Sequence, residues 1–174
     1  MLETLILGFL NEADMHGYEL KLRLSALASH YRKISDGSLY PALQRLLAAG
    51  RIEPAPSAGA DARKRTTYRL TAAGREQLLA TLARPGEHDI SDRNRFFGLL
   101  NFLHYLPLGA QRAILRRRRH FLDHPQPFNP PAHSVPTLFR AGMLTMAHAT
   151  RRAEIEWLEH ALSTLGEEQE TLQS

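Results

Sequence analysis

The 174 residues contain no cysteine. That one absence removes disulfides, thiol nucleophiles and thiolate metal ligands together, and it fits a reducing compartment. Long apolar runs are missing as well. Nothing approaches the roughly 18 consecutive apolar residues of a membrane span, and residues 1–10 carry Glu3 and lack the basic start of a secretory leader. The expected location is therefore cytoplasmic, with no membrane partner. A glycine-rich phosphate loop, a Ser/His/Asp order and a paired-carboxylate pattern are all absent, which argues against an enzyme and against a bound cofactor. His120 and His124 stand four apart on an expected helix with Asp123 between them, but no third ligand accompanies them, so surface histidines are expected and no metal site.

What is present is enough apolar material for one good core or two small ones, at 43% hydrophobic residues. The net charge of +4 is unevenly placed: residues 1–84 hold 12 Lys/Arg against 8 Asp/Glu, whereas residues 85–174 hold 10 of each. Charge speaks to partners and not to fold, and its concentration in one half points to an anionic partner for that half.

Residues 34–70 carry the clearest local pattern. Turn and cap formers at 35–38 lead into a short helix that Gly50 stops; a strand, a basic turn-rich loop and a second strand then complete a helix-plus-wing unit suited to double-stranded DNA. Pro41 limits where the helix begins, since a proline beyond the first turn removes an intrahelical bond and clashes with the preceding turn. Either Ser38 is the N-cap, with Leu39, Tyr40 and Pro41 in the first turn, or a helix begun at Ser35 is kinked there; the first is the preferred expectation. Leu39, Leu43, Leu46 and Leu47 then form the buried stripe. Ser38, Tyr40, Gln44 and Arg45 fall near the N-terminal end or the outer side, where a recognition helix meets base edges and phosphates. Tyr40 serves equally as a core residue with a satisfied hydroxyl.

The strand expected over 51–54 gives way at a Pro, Ala, Ser and Gly-rich loop tip, and the return through Arg63, Lys64 and Arg65 puts three cations together before Tyr68 and Leu70. Such a trio is often only a solvated patch; beside a recognition helix each cation could neutralise a phosphate. Ahead of this unit, Leu2, Leu5, Ile6, Phe9 and Leu10 predict a helix that fades at Asn11. A second helix from Asp14 or His16 carries Tyr18, Leu20, Leu22, Leu24 and Leu27, with Lys21, Arg23 and His30 outward. Thr71 caps a further helix through about Leu82, and Arg84, Pro85 and Gly86 break it, which places the domain boundary at 84/85.

The second part opens at Ser91 with Phe96, Phe97, Leu99, Leu100, Leu103 and Leu106, too apolar all round for an isolated surface helix, and Pro107 ends it. On the next expected helix, 108–122, Arg116, Arg117, Arg118 and Arg119 spread around the cylinder; Arg118 alone falls on the apolar side, to pair with a carboxylate of the last helix or to contact a ligand. Four prolines separate it from a final helix over about 136–166. That helix has two seams, one of Leu144, His148, Arg151, Ile155, Leu158, Leu162 and Leu165, the other of Phe139, Met143, Met146, Thr150, Ala153 and Trp157. Two seams imply two packing partners, the second of them another copy of the chain. Leu144, Ile155, Trp157, Leu158, Leu162 and Leu165 are the expected dimerisation residues, and Phe96, Met143, Met146 and Trp157 could line a pocket for a small aromatic effector, although a plain dimer core accounts for them equally.

Three blocks in order, residues 16–20 (His-Gly-Tyr-Glu-Leu), 38–43 (Ser-Leu-Tyr-Pro-Ala-Leu) with Arg45-Leu46, and 68–71 (Tyr-Arg-Leu-Thr) with Gly74, resemble the PadR family of bacterial transcriptional regulators. The helical layout beyond Leu82 looks like the longer members of that family. The resemblance implies a mainly α fold with a small β-wing: an N-terminal winged helix-turn-helix, residues 1–84, plus a C-terminal helical dimerisation domain, residues 85–174. It also implies a homodimer that binds operator DNA as a repressor and releases it when an effector binds. Its recognition-helix positions fall on Ser38, Tyr40 and Gln44, with Ser35 just ahead, and its basic wing positions on Arg63, Lys64 and Arg65. Leu47 stands where an acidic residue is common, and the wing lacks the frequent Gly-Arg-Pro element. A protein-interaction module on the same scaffold, without specific DNA binding, is the alternative.

Overall fold

Helix α1 (Leu2–Glu12) is the element on which the first half of the chain assembles, because its Ile6, Leu7, Phe9 and Leu10 are all buried. The computed structural model describes residues 1–27, 35–55, 66–124 and 138–173. In chain order α1 is followed by a two-residue strand β1 (Met15–His16), helix α2 (Gly17–Leu27), helix α3 (Asp36–Ala48), strands β2 (Ile52–Ala55) and β3 (Thr67–Leu70), and helix α4 (Ala72–Ala83). Then come two short helices, α5 (Glu87–Ser91) and α6 (Arg93–Leu100), a single 3-10 turn at Leu103–Tyr105, helix α7 (Leu108–Asp123) and helix α8 (Leu138–Gln173). No helix among the described residues is long and apolar enough to cross a membrane.

The sheet has the order β1-β3-β2, antiparallel throughout, with β3 in the middle. Pro54, which cannot donate to a ladder, is accommodated because β2 is an edge strand. The strand β1 has no period-two signature in sequence, being only Met15 and His16; its pairing with Tyr68 and Thr67, and a 2.9 Å contact between His16 Nδ1 and Thr67 Oγ1, are tertiary features.

Two compact units are present, Met1–Leu106 and Pro107–Ser174. They part some twenty residues beyond the 84/85 boundary expected from the Arg-Pro-Gly break, for a packing reason. The fully buried Phe102 ring lies edge-on to Phe9, centroids 5.3 Å apart, and rests on Gly8 of α1, where an added Cβ would come within 2.6 Å of the ring. Residues 87–106 therefore complete the core of the first unit. The helix expected from Ser91 to Pro107 starts at Arg93, where the Asp92 side chain accepts from Arg95 N and caps α6, but it stops at Leu100 and a separate 3-10 turn follows.

In the second unit α7 packs against α8. Arg118, the one arginine expected on the apolar side, is buried and donates through Nε to Glu154 Oε1 at 2.7 Å, with side-chain exposures of 2% and 5%. The carboxylate of the last helix is thus its partner. Arg119 reaches Glu159 at 2.6 Å and also pairs with Asp123. Helix α8 continues past Gly166 to Gln173, and the expected start near 136 lies outside the described residues.

Candidate nucleic-acid interface

Helix α3 begins earlier than the preferred sequence reading. Ser35, not Ser38, is the N-cap, and Pro41 sits inside the helix. The first turn is closed by backbone bonds from Ser38 N and Leu39 N to the Ser35 carbonyl, at 3.0 and 3.1 Å. Pro41 cannot bond the carbonyl of Gly37, but Gly37 is exposed and water can satisfy that oxygen, which is why the proline is tolerated in the second turn. The other end follows expectation: Gly50 has φ +64°, and Gly50 N and Arg51 N bond Leu47 O and Leu46 O, each at 2.9 Å, the hydrogen-bond pattern of a left-handed glycine stop.

Leu39, Ala42, Leu43 and Leu46 face the core. Leu47, expected with them, is half-buried. The opposite stripe leaves Ser35, Ser38, Tyr40, Gln44 and Arg45 exposed, so all five α3 candidates share the solvent side. Ser35 and Ser38 join their hydroxyls at 3.1 Å. Tyr40 is 47% exposed, yet its ring lies over Gly17, 3.4 Å from where a Cβ would stand, so it is partly supported by α2 and partly free. Arg45 is already committed to Glu3 of α1 at 2.7 Å.

Beside α3, Thr71 Oγ1 ties the start of α4 to the end of α3, donating to Gly50 O at 2.8 Å and Arg51 O at 3.0 Å and accepting from Gly74 N at 3.0 Å. On the wing, Arg69 clamps Asp14 with contacts of 2.6 to 3.2 Å, and its pKa is raised first by that hydrogen bond. Burial is the main cause that raises the Tyr68 pKa. Arg63, Lys64 and Arg65 lie outside the described residues. Sequence reasoning grouped Tyr18 and Leu22 with the inward residues of α2, whereas both are exposed; the buried stripe is Gly17, Leu20 and Leu24, whose three-four spacing is the signal that separates them.

Residues 6–80 match the Transcriptional regulator PadR-like family. An uncharacterised protein of Lysinibacillus sphaericus is 32% identical over 77 residues, which span 44% of this chain and 71% of that one. The chain belongs to the PadR-like family of transcriptional regulators. Among solved structures, a transcriptional regulator from Clostridium thermocellum is 32% identical, the match covering 44% of this chain and 73% of that one with a TM-score of 0.39. Bacillus subtilis PadR in complex with operator DNA is 20% identical, with coverage of 94% and 98% and a TM-score of 0.45. A PadR-like regulator from Bacillus cereus is 20% identical, with coverage of 97% and 99% and a TM-score of 0.43. The expected fold class stands: a winged helix-turn-helix followed by helices.

The remaining candidates of this PadR-like chain divide sharply. Leu158, expected at a dimer interface, is fully buried in the single chain, one turn after Glu154 on α8. Leu144, Ile155, Leu162 and Leu165 are half-buried and Trp157 is exposed. Of the four expected pocket residues, Phe96 is sealed in the core of the first unit, while Met143, Met146 and Trp157 stand exposed on α8. The helical 139–157 seam therefore keeps its apolar side chains open. His124 Nδ1 lies 2.9 Å from the His120 carbonyl, and among the described residues no group of three or more His, Asp or Glu is placed to hold a metal.

Proposed function

We propose that the chain is a homodimeric, sequence-specific, cytoplasmic DNA-binding repressor that a small aromatic effector releases from its operator. The carrying observation is the outward stripe of α3: Ser35, Ser38, Tyr40 and Gln44 present hydroxyl and amide groups at the N-terminal part of a recognition helix. The first unit, Met1–Leu106, would serve as the DNA-binding part, with the wing cations Arg63, Lys64 and Arg65 on flanking phosphates, and the second, Pro107–Ser174, as the assembly part.

Helix lengths support the dimer reading. The 36 residues of α8 extend about 54 Å and the 16 of α7 about 24 Å, so α7 covers less than half of its neighbour. The exposed Phe139, Met143, Met146 and Trp157 form an apolar stripe that a second copy would cover, and the same stripe is where an aromatic effector would compete or insert. Two recognition helices would then enter successive major grooves about 34 Å apart on a near-palindromic site.

A gel shift with the full chain and the DNA upstream of its own reading frame is the first test. Preference for that DNA over random duplex is the expected result; equal binding would leave only the interaction-module reading. Phenolic acids or lipophilic cations should change Trp157 fluorescence and loosen DNA, and absence of both effects would remove the effector from the account.

A further inference from the structure

A cation of α2 stands beside the recognition helix with its charge already matched. Lys21 Nζ lies 2.8 Å from both carboxylate oxygens of Asp36, the first residue of α3. Neither partner is buried away: the side chains are 33% and 59% exposed. Asp36 raises the Lys21 pKa, chiefly through this hydrogen bond. Tyr18, three residues before Lys21 on α2 and so its neighbour on the helix surface, is 61% exposed.

When the second helix of a helix-turn-helix lies in the major groove, the first crosses the sugar-phosphate backbone. A lysine and a tyrosine hydroxyl on the outer side of that first helix are the donors a phosphate takes. Resting on the DNA-binding reading above, we infer that Lys21, with Tyr18 beside it, is a phosphate contact whose charge Asp36 masks in the free protein, so that binding exchanges carboxylate for phosphate. The exchange makes Asp36 a specificity determinant. On random DNA the freed carboxylate opposes binding, and only the base contacts of a correct site offset it.

The exchange has its own ionic signature. A phosphate neutralised by a free lysine releases counterions and adds about 0.9 to the slope of log affinity against log salt. A lysine taken from a carboxylate adds less, because the carboxylate attracts a cation in its place. The measurement is fluorescence anisotropy of the full chain on its upstream duplex and on a random duplex across a fourfold salt range, with melting temperature recorded for each variant. Lys21→Gln should weaken binding to both duplexes and flatten the slope, and Lys21→Arg should restore both. Asp36→Asn should tighten binding to the random duplex and steepen the slope by up to about 0.9, roughly 3.5-fold in affinity over that range, and lose the steepening in the Lys21→Gln background. Unchanged affinity and slope in Lys21→Gln would overturn this inference while leaving the DNA reading intact. An Asp36→Asn variant that melts lower and shows no gain on random duplex would reduce Asp36 to a stabiliser of the α3 first turn and overturn it equally. Failure of the unaltered protein to bind either duplex would remove both readings.

Discussion

Gly74 lies in the first turn of α4 against the end of α3, and replacing it with alanine sets two known effects in opposition. In a helix, alanine is worth up to about 1 kcal/mol more than glycine. At this position the new Cβ would stand 2.0 Å from the Arg51 carbonyl oxygen, 3.0 Å from its carbon and 2.7 Å from Leu70 Cδ1. The obstacle is backbone, so relief requires Arg51 and the α4 start to separate by more than about 1 Å, beyond what a packed region absorbs freely. That separation stretches the bonds from Thr71 N and Thr71 Oγ1 to Arg51 O, now 3.1 and 3.0 Å. Each is worth about 0.5–1.5 kcal/mol and overpacking adds about 1–3 kcal/mol, so after the helix gain Gly74→Ala should cost a net of about 2–4 kcal/mol. For a unit of this size that lowers the melting temperature by roughly 10 °C or more. Gly142 in α8, where an added Cβ meets nothing within 4 Å, is the control: Gly142→Ala should be neutral or stabilising by up to about 1 kcal/mol. Circular-dichroism melts of the two variants decide the matter. Should Gly74→Ala melt at or above the unaltered protein, the close-approach reasoning is wrong.

Breaking the buried Arg118–Glu154 pair from one side should cost about 3–5 kcal/mol, whereas Arg118→Met combined with Glu154→Leu should recover much of that loss; additive losses in the double variant would contradict a paired burial. A chain ending at Leu106 should unfold cooperatively, and one ending at Leu82 should not, because it lacks the Phe102 and Phe96 that close the core against α1; equal proton-exchange protection in the two would refute this. Asp123 has its carboxyl pKa lowered, first by its hydrogen bond with Arg119, so the pair's contribution is full above the ordinary aspartate value and is lost as pH falls through the lower folded value. An NMR titration of the Asp123 carboxyl should show that depressed midpoint, and Arg119→Gln should raise it.

The family resemblance, helices α1 to α4 and the two wing strands were legible in sequence because caps, stops and apolar spacing are local. Thr71 caps α4 as its type and the following apolar spacing require, and Gly50 takes the positive φ that few other residues adopt. Arg118 was singled out as the only arginine on the apolar side of its helix, and a buried guanidinium demands a carboxylate. The start of α3 was misplaced because the rule against internal proline weighs the lost bond, not the solvent exposure of the orphaned carbonyl.

By itself, then, the sequence determined most of the helices and the two wing strands, since capping, periodicity and turn chemistry act within a few residues of each other. Only the tertiary structure decided where the first unit ends, through Phe102 over Gly8, and which cations of the recognition side are already spoken for, Arg45 by Glu3 and Lys21 by Asp36. Those outcomes depend on residues 15 to 94 positions apart, and no local rule reaches across that distance.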